Sequence, residues 1–241
     1  MPNDYFQFQQ FRITQSDCAM KVSTDACLLG AVADLHGATR LLDIGTGTGL
    51  LALMAAQRHP TVAIEAVEID GAAAAQAAAN GAACPWSDRM EVYALSLADF
   101  AASRPGLFSH LVCNPPFFRQ SLRSPDAART TARHEAADTL SFTALATFAA
   151  ELLEPAGLLT LLLPPPEMRA FEQLAAAAGL YPATRLVVRH RPGSRVLRHI
   201  TGFRRGAVPV QETELTIRTA ENEAEYSAEF RRLLAGFYLV L

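Results

Sequence analysis

From Arg40 onward, short apolar runs alternate with longer stretches rich in alanine and leucine. The short runs read as strands: Arg40–Ile44, Ile64–Glu68, Met90–Ala94, His110–Cys113 and Leu158–Leu163, then Arg185–Arg189, Val196–Phe203 and Glu214–Arg218. The longer stretches read as helices: Leu50–Arg58, Ala72–Ala83, Phe142–Leu153, Met168–Ala178 and Tyr226–Phe237. Pro60 and Gly179 mark helix ends, and alanine favours the helical state most in Ala72–Ala83. Strands separated by helices imply an α/β fold with a mostly parallel sheet and helices on both faces. Right-handed crossovers then place a ligand crevice at the carboxyl ends of the strands. The pattern reads as one domain without repeat or linker. Residues 1–39 form an N-terminal segment over the ligand site, 40–190 the core, and 191–241 the closing strands and helix.

Half of the 241 residues are hydrophobic, which supports a large core. No apolar stretch has the length of a membrane span; Leu158–Leu163 runs directly into Pro164-Pro165-Pro166. Met1-Pro2-Asn3-Asp4 shows no basic region followed by an apolar one, so a cytoplasmic location is expected. Cys18, Cys27, Cys84 and Cys113 have no metal-ligand spacing and suit a reduced environment, so neither metal nor disulfide is expected. Nothing fixes the oligomeric state, and a monomer is the simpler expectation.

Asp43-Ile44-Gly45-Thr46-Gly47-Thr48-Gly49 follows a strand and opens a helix. Glycines there admit positive φ and close approach of a ligand to the backbone, and the helix start offers free N–H groups. A dinucleotide fingerprint has Gly-x-Gly-x-x-Gly spacing to seat a pyrophosphate; this turn is Gly-x-Gly-x-Gly. Glu68 ends the next strand, where an acid can accept hydrogen bonds from two ribose hydroxyls. Asp43 stands where a carboxylate can face a cationic amino-acid group, directly or through water. Asp70 fits better as a helix N-cap. Together these suggest a nucleoside cofactor with an amino-acid tail and no phosphate.

Asn114-Pro115-Pro116-Phe117 comes directly after the fourth strand. Two prolines stop the strand and fix a rigid turn. The Asn114 side-chain oxygen and the Pro115 carbonyl can converge on one NH₂ group, and Phe117 can stack on a planar substrate. Alone, the tetrapeptide is a turn. After the glycine turn and Glu68, it describes a site that holds an amine for in-line methyl transfer by positioning.

These residues resemble the amino-methyltransferases with an Asn-Pro-Pro-Tyr/Phe signature. Phe11–Leu29, with Cys18–Asp25, resembles the N-terminal cofactor-covering motif of one subgroup, the bacterial tRNA adenine-N6-methyltransferases acting on adenine 37 of tRNA1(Val). Leu42–Leu53, Glu65–Ala78, Pro85–Arg89, Asn114–Phe118, Ala132-Arg133-His134 and the ending from Glu225 to Leu239 are similar to that subgroup as well, so the likeness spans nearly the whole chain. It implies a Rossmann-like, seven-stranded methyltransferase fold, S-adenosyl-L-methionine as cofactor and tRNA as partner. It implies cofactor contacts from Lys21, Thr24, Asp25, Asp43, Gly45, Thr46, Gly47, Gly49, Glu68, Ser96, Leu97 and Asn114. Amine binding falls to Asn114, Pro115, Pro116 and Phe117. Many members of the class carry Asp where Ser96 falls, so either Ser96 or Asp99 serves the adenosine amine.

The net charge of −3 hides an asymmetry. Between Arg185 and Arg205 lie Arg189, Arg191, Arg195, Arg198 and Arg204 with no acid, and Arg119, Arg123, Arg129 and Arg133 form a second basic group. Arg119, Arg133, His134, Arg191, Arg195 and Arg198 are the candidate RNA contacts. A solvated basic face is the competing reading, since Lys21 is the only lysine. Arg133-His134-Glu135 reads equally as a substrate loop or a surface turn. Trp86 reads as packing, and Pro164–Pro166 as the end of a strand at the pocket rim. Other functions compatible with the signature are glutamine-N5 methylation of release factors, guanine-N2 methylation of rRNA, and a degenerate RNA-binding module.

Overall fold

The computed structural model describes residues 4–18, 20–115, 140–220 and 225–240. Its core is an eight-stranded sheet. The strands are β3 (Arg40–Ile44), β4 (Ala63–Glu68), β5 (Met90–Ala94), β6 (Phe108–Cys113), β7 (Leu153–Leu163), β8 (Leu180–Arg189), β9 (Val196–Arg205) and β10 (Gln211–Thr216). They lie in the order β10-β8-β9-β7-β6-β3-β4-β5. Only β9 pairs antiparallel with its neighbours. The resemblance implied seven strands; all eight strands read from the sequence join the sheet, with β10, at Gln211–Thr216 where Glu214–Arg218 was expected, at the edge parallel to β8. A separate hairpin, β1 (Tyr5–Gln7) with β2 (Arg12–Thr14), precedes the sheet.

Side chains alternate across a strand, so each buried strand feeds two cores. Leu41, Val112, Leu162 and Ile200 face α1 (Thr24–Val32), α2 (Leu50–Arg58) and α7 (Ala228–Leu234). Leu42, Ile44, Leu111, Leu161 and Phe203 face α4 (Leu97–Ala102), α5 (Phe142–Leu152) and α6 (Pro165–Ala177). The remaining helix, α3 (Gly71–Ala82), packs on β5 and on the hairpin. Five helices start on a Ser or Asp whose side chain accepts an N–H of the first turn: Ser23, Asp70, Ser96, Ser141 and Ser227.

Element boundaries differ from the sequence reading for local reasons. Helix α5 passes directly into β7 at Leu153, although Pro155 lacks the N–H a ladder needs. The β6–β7 register jumps from Phe108↔Leu153 to His110↔Leu158, which leaves Pro155 in an irregularity. Pro164 caps α6 with Pro165 and Pro166 in its first turn, so the prolines start a helix and do not line the cavity at the site. The last helix is shorter than expected because Tyr226 bridges back to Arg218 and Ser227 caps at 228. Trp86 packs edge-on against Phe11, 6.1 Å between ring centres, as a core residue.

The segment before β3 is tied down by α3. Buried Asn80 accepts from the Thr14 N–H and donates to the Thr14 and Thr48 carbonyls, all at 2.9 Å. Gln76 accepts from the Asp17 N–H at 3.0 Å. These bonds lead the chain from the hairpin to Cys18 and Met20 at the mouth of the site. Asn80→Ala would leave three backbone groups without this partner, at a cost of about 2–3 kcal/mol. Urea unfolding should show the midpoint drop with the slope unchanged; an unaltered midpoint would remove Asn80 from this role.

Candidate active site

A crevice of about 490 Å³ opens at the carboxyl ends of β3, β4, β5 and β6. Its size falls within the ~300–1,000 Å³ of small-molecule sites. The floor is the turn between β3 and α2. Gly45 and Gly47 have φ of +68° and +56°, and a Cβ on either would meet nothing within 4 Å, so the backbone itself faces the open space. The turn is held from below. Asp43 is fully buried, and its Oδ2 accepts from the Thr46 hydroxyl at 2.6 Å and the Ala52 N–H at 3.2 Å. Its Oδ1 is buried with no partner among the described residues. From the side, Glu68 accepts from the Gly47 N–H at 2.9 Å and the Asp70 N–H at 3.1 Å.

The field in the crevice is negative. Burial raises the Asp43 carboxyl to about 7, against its bonds to Thr46 and Ala52, and Glu68 raises it further. Cys113 is raised well above an ordinary thiol by burial, then by Asp43 and Glu68. Burial, then Glu68, Asp17 and Asp70, raise Cys18 as well. Such a field favours a cation. β6 ends at Cys113, and the next residues, Asn114 and Pro115, line the crevice. Asn114 Oδ1 is buried and has no partner among the described residues. Buried acceptors are almost always paired, so an orphan on a residue lining this cavity suggests a ligand that donates to it; Asp43 lies beneath the glycine turn, outside the lining.

Comparison with known proteins decides the family. Residues 20–162 match the methyltransferase small domain. A Bacteroides fragilis protein named tRNA1(Val) (adenine(37)-N6)-methyltransferase is 40% identical over 240 residues, 99% of each chain. A protein of the same name from Pseudoalteromonas translucida is 42% identical over 234 residues, 97% of this chain and 98% of the other. This chain belongs to that methyltransferase family. Among solved structures, a protein described as a predicted O-methyltransferase from Agrobacterium tumefaciens aligns over 88% of this chain and 96% of its own, with TM-score 0.64 and 21% identity. A ribosomal protein L11 methylase from Lactobacillus delbrueckii aligns over 81% and 84%, with TM-score 0.52 and 14% identity. At these identities the likeness shows the methyltransferase fold.

In this methyltransferase, Gly45, Gly47, Glu68, Ser96, Leu97, Asn114 and Pro115 line the crevice. Asp43, Thr46 and Gly49 do not. Thr46 is spent on Asp43, and Gly49 (φ +83°) begins α2, where an added Cβ would sit 3.5 Å from Ala77 of α3. Thr24 and Asp25 also lie outside the lining, at the start of α1, where Asp25 pairs with Arg198 at 2.7 Å. Lys21 is exposed beside the lining residue Met20. Asp99 is outside too; it accepts from the Ser96 hydroxyl at 2.6 Å, so it orients Ser96. Pro116, Phe117, Arg119, Arg133 and His134 lie outside the described residues.

The sequence reading missed Cys18, Met20, Ile69, Leu95, Ser141, Ala144 and Phe148, all of which line the crevice. Ile69 and Leu95 directly follow strands, a signal the crevice rule already offered. The α5 residues carry no signal near any motif.

Asp43 makes a pH prediction. Its folded pKa of about 7 exceeds the ordinary 3.8. Between those values the folded chain holds a proton that the unfolded chain has lost, so its contribution to stability is present below 3.8 and disappears as pH rises through about 7. Asn cannot titrate and can accept both bonds. Relative to Asp43→Asn, the ligand-free wild type should therefore lose stability between about pH 4 and 8. Urea unfolding at several pH values measures the difference, and a pH-independent difference would contradict the raised pKa.

Proposed function

We propose that this protein transfers the methyl group of S-adenosyl-L-methionine to N6 of an adenine in tRNA, with adenine 37 of tRNA1(Val) as the target. The observation that carries the reading is Asn114 Oδ1, buried just after β6 with no partner among the described residues, on a side chain that lines the same crevice as the glycine turn. The names of the full-length relatives support the substrate.

The residues fit the cofactor. Gly45 and Gly47 leave room where side chains would intrude, and Asp43, buried beneath the turn with Oδ1 unpartnered among the described residues, would favour a cationic group above it. Glu68 ends β4 in the crevice lining, where its carboxylate would accept from ribose hydroxyls. Ile69, Leu95 and Leu97 offer apolar walls to a planar base, with Ser96 beside them. When bound, S-adenosyl-L-methionine supplies a methyl group on a positively charged sulfur. The negative field from Asp43 and Glu68 favours that cation.

Asn114 Oδ1 accepts one N–H of the adenine amine, and the Pro115 carbonyl accepts the other. Two fixed acceptors orient the nitrogen and direct its lone pair at the methyl carbon. That nitrogen would take the methyl of bound S-adenosyl-L-methionine, with the sulfur leaving as a thioether, and the amine would release one proton to solvent. No residue needs to act as a strong base before transfer, and no metal is assigned a role. Phe117 stacks on the base in this reading, and flipping it out is cheapest from a loop. A cytoplasmic location follows with the tRNA substrate. Among the described residues no helix is long and apolar enough to cross a membrane.

Incubation with labelled S-adenosyl-L-methionine and tRNA lacking the modification, followed by nucleoside analysis, should place label on N6-methyladenosine. Label only on guanine or on protein would overturn the substrate. Asn114→Ala should lower kcat by about 100-fold or more while cofactor affinity changes little. Equal turnover by the variant would discard the mechanism.

A further inference from the structure

The basic residues that stand together in sequence do not stand together in space. Acids from other elements reach into the run from Arg185 to Arg205. Arg185 pairs with Glu172 of α6 at 2.6 Å and with Glu212 of β10 at 3.3 Å. Arg189 pairs with Glu214 at 2.8 Å, and Arg198 with Asp25 at 2.7 Å. Arg204 and Arg205 lie beside Tyr181 and Leu180, at the end of the sheet opposite the crevice.

The other end of the same strands carries a different set. Leu163, the last residue of β7, is the register partner of His199, and Arg189 is the partner of Val196. The β8–β9 turn therefore projects from the edge where Asn114 follows β6. Arg191 and Arg195 are exposed there. The turn is rigid: the Ser194 N–H donates to the Arg191 carbonyl at 3.1 Å, Gly193 takes φ +71°, and Arg189 donates to the Ser194 carbonyl. The β10 ladder continues past its strand, with the Arg218 N–H on the His190 carbonyl at 2.8 Å. The Arg218 guanidinium lies 3.7 Å over the Tyr226 ring. On the other side, the first turns of α6 rise from the end of β7 and expose Arg169, close enough to His199 to perturb it. Among the described residues at this end, Asp25 pairs with Arg198, Glu214 with Arg189 and Glu225 with Arg231, while Glu167 stands in the first turn of α6 with one carboxylate oxygen buried.

We infer that Arg169, Arg195, Arg191 and Arg218 form a phosphate-binding rim along the ends of β7, β9, β8 and β10, and that it docks the tRNA backbone beside the amine site. Strands about 4.8 Å apart make this rim roughly 15 Å long, room for more than one phosphate. It starts next to β6, so RNA seated on it runs towards Asn114. The inference rests on the tRNA reading above. It adds Arg169 and Arg218, which the sequence did not single out, and sets aside Arg185, Arg189, Arg204 and Arg205.

The test uses the full chain, S-adenosyl-L-methionine and unmodified tRNA. Arg169→Ala and Arg195→Ala should each raise the KM for tRNA about 3- to 10-fold, more together. Each should reduce the slope of log affinity against log salt by about 1. The kcat at saturating tRNA and the KM for the cofactor should stay within about twofold. Arg204→Ala, with the same loss of charge at the opposite end, should behave as wild type. Thermal melting should be unchanged in all, because these side chains are exposed. Rim variants indistinguishable from Arg204→Ala would overturn the inference and leave the tRNA reading standing. No methyl transfer to tRNA by the wild type would overturn both.

Discussion

The site depends on one buried carboxylate. Asp43 sits at the end of a central strand, with Oδ2 holding the Thr46 hydroxyl and the Ala52 N–H. These bonds join strand, turn and helix into one rigid unit and leave Gly45 and Gly47 facing outward. Charge is costly at such depth, which is why burial raises its pKa to about 7. A cation nearby would favour its charged form. The strain of burying it and the use of the crevice are two sides of one arrangement.

From that unit the remaining features follow by topology. Parallel strands bring the ends of β3, β4, β5 and β6 to one edge. Glu68, Ser96 and Asn114 thereby meet around a single space although 46 positions separate the first from the last. The same edge continues across β7, β9, β8 and β10. Negative potential is concentrated in the crevice and positive side chains along the adjoining rim. That separation matches a cationic cofactor and an anionic polymer approaching from the same side. A net charge of −3 averages the two and conceals both.

The covering segment shows how a short stretch of chain becomes part of a site. Residues 4–18 form the β1–β2 hairpin and bury Phe8, Phe11 and Ile13 in the core. Asn80 and Gln76, polar residues on an alanine-rich helix, supply the hydrogen bonds that guide them. At the far side Gln9 donates to the carbonyls of Ala235 and Tyr238, which ties the hairpin to the segment that follows α7.

The sequence by itself determined the alternation of strands and helices, the glycine turn and the chemistry of the Asn-Pro turn, because these are properties of adjacent residues. Period, turn residues and caps act over a few positions and are readable without a fold. Arg40–Ile44, Leu50–Arg58 and Met90–Ala94 coincide with their elements for that reason. Only the tertiary structure decided which neighbours each charge would have. Asp25 and Arg198 lie 173 positions apart and pair; Thr46 and Gly49 sit within the motif yet turn away from the crevice. Ser141, Ala144 and Phe148 enter it from a helix with no motif at all. Charge pairing and cavity lining depend on distance through space, and that distance is set by sheet order and register.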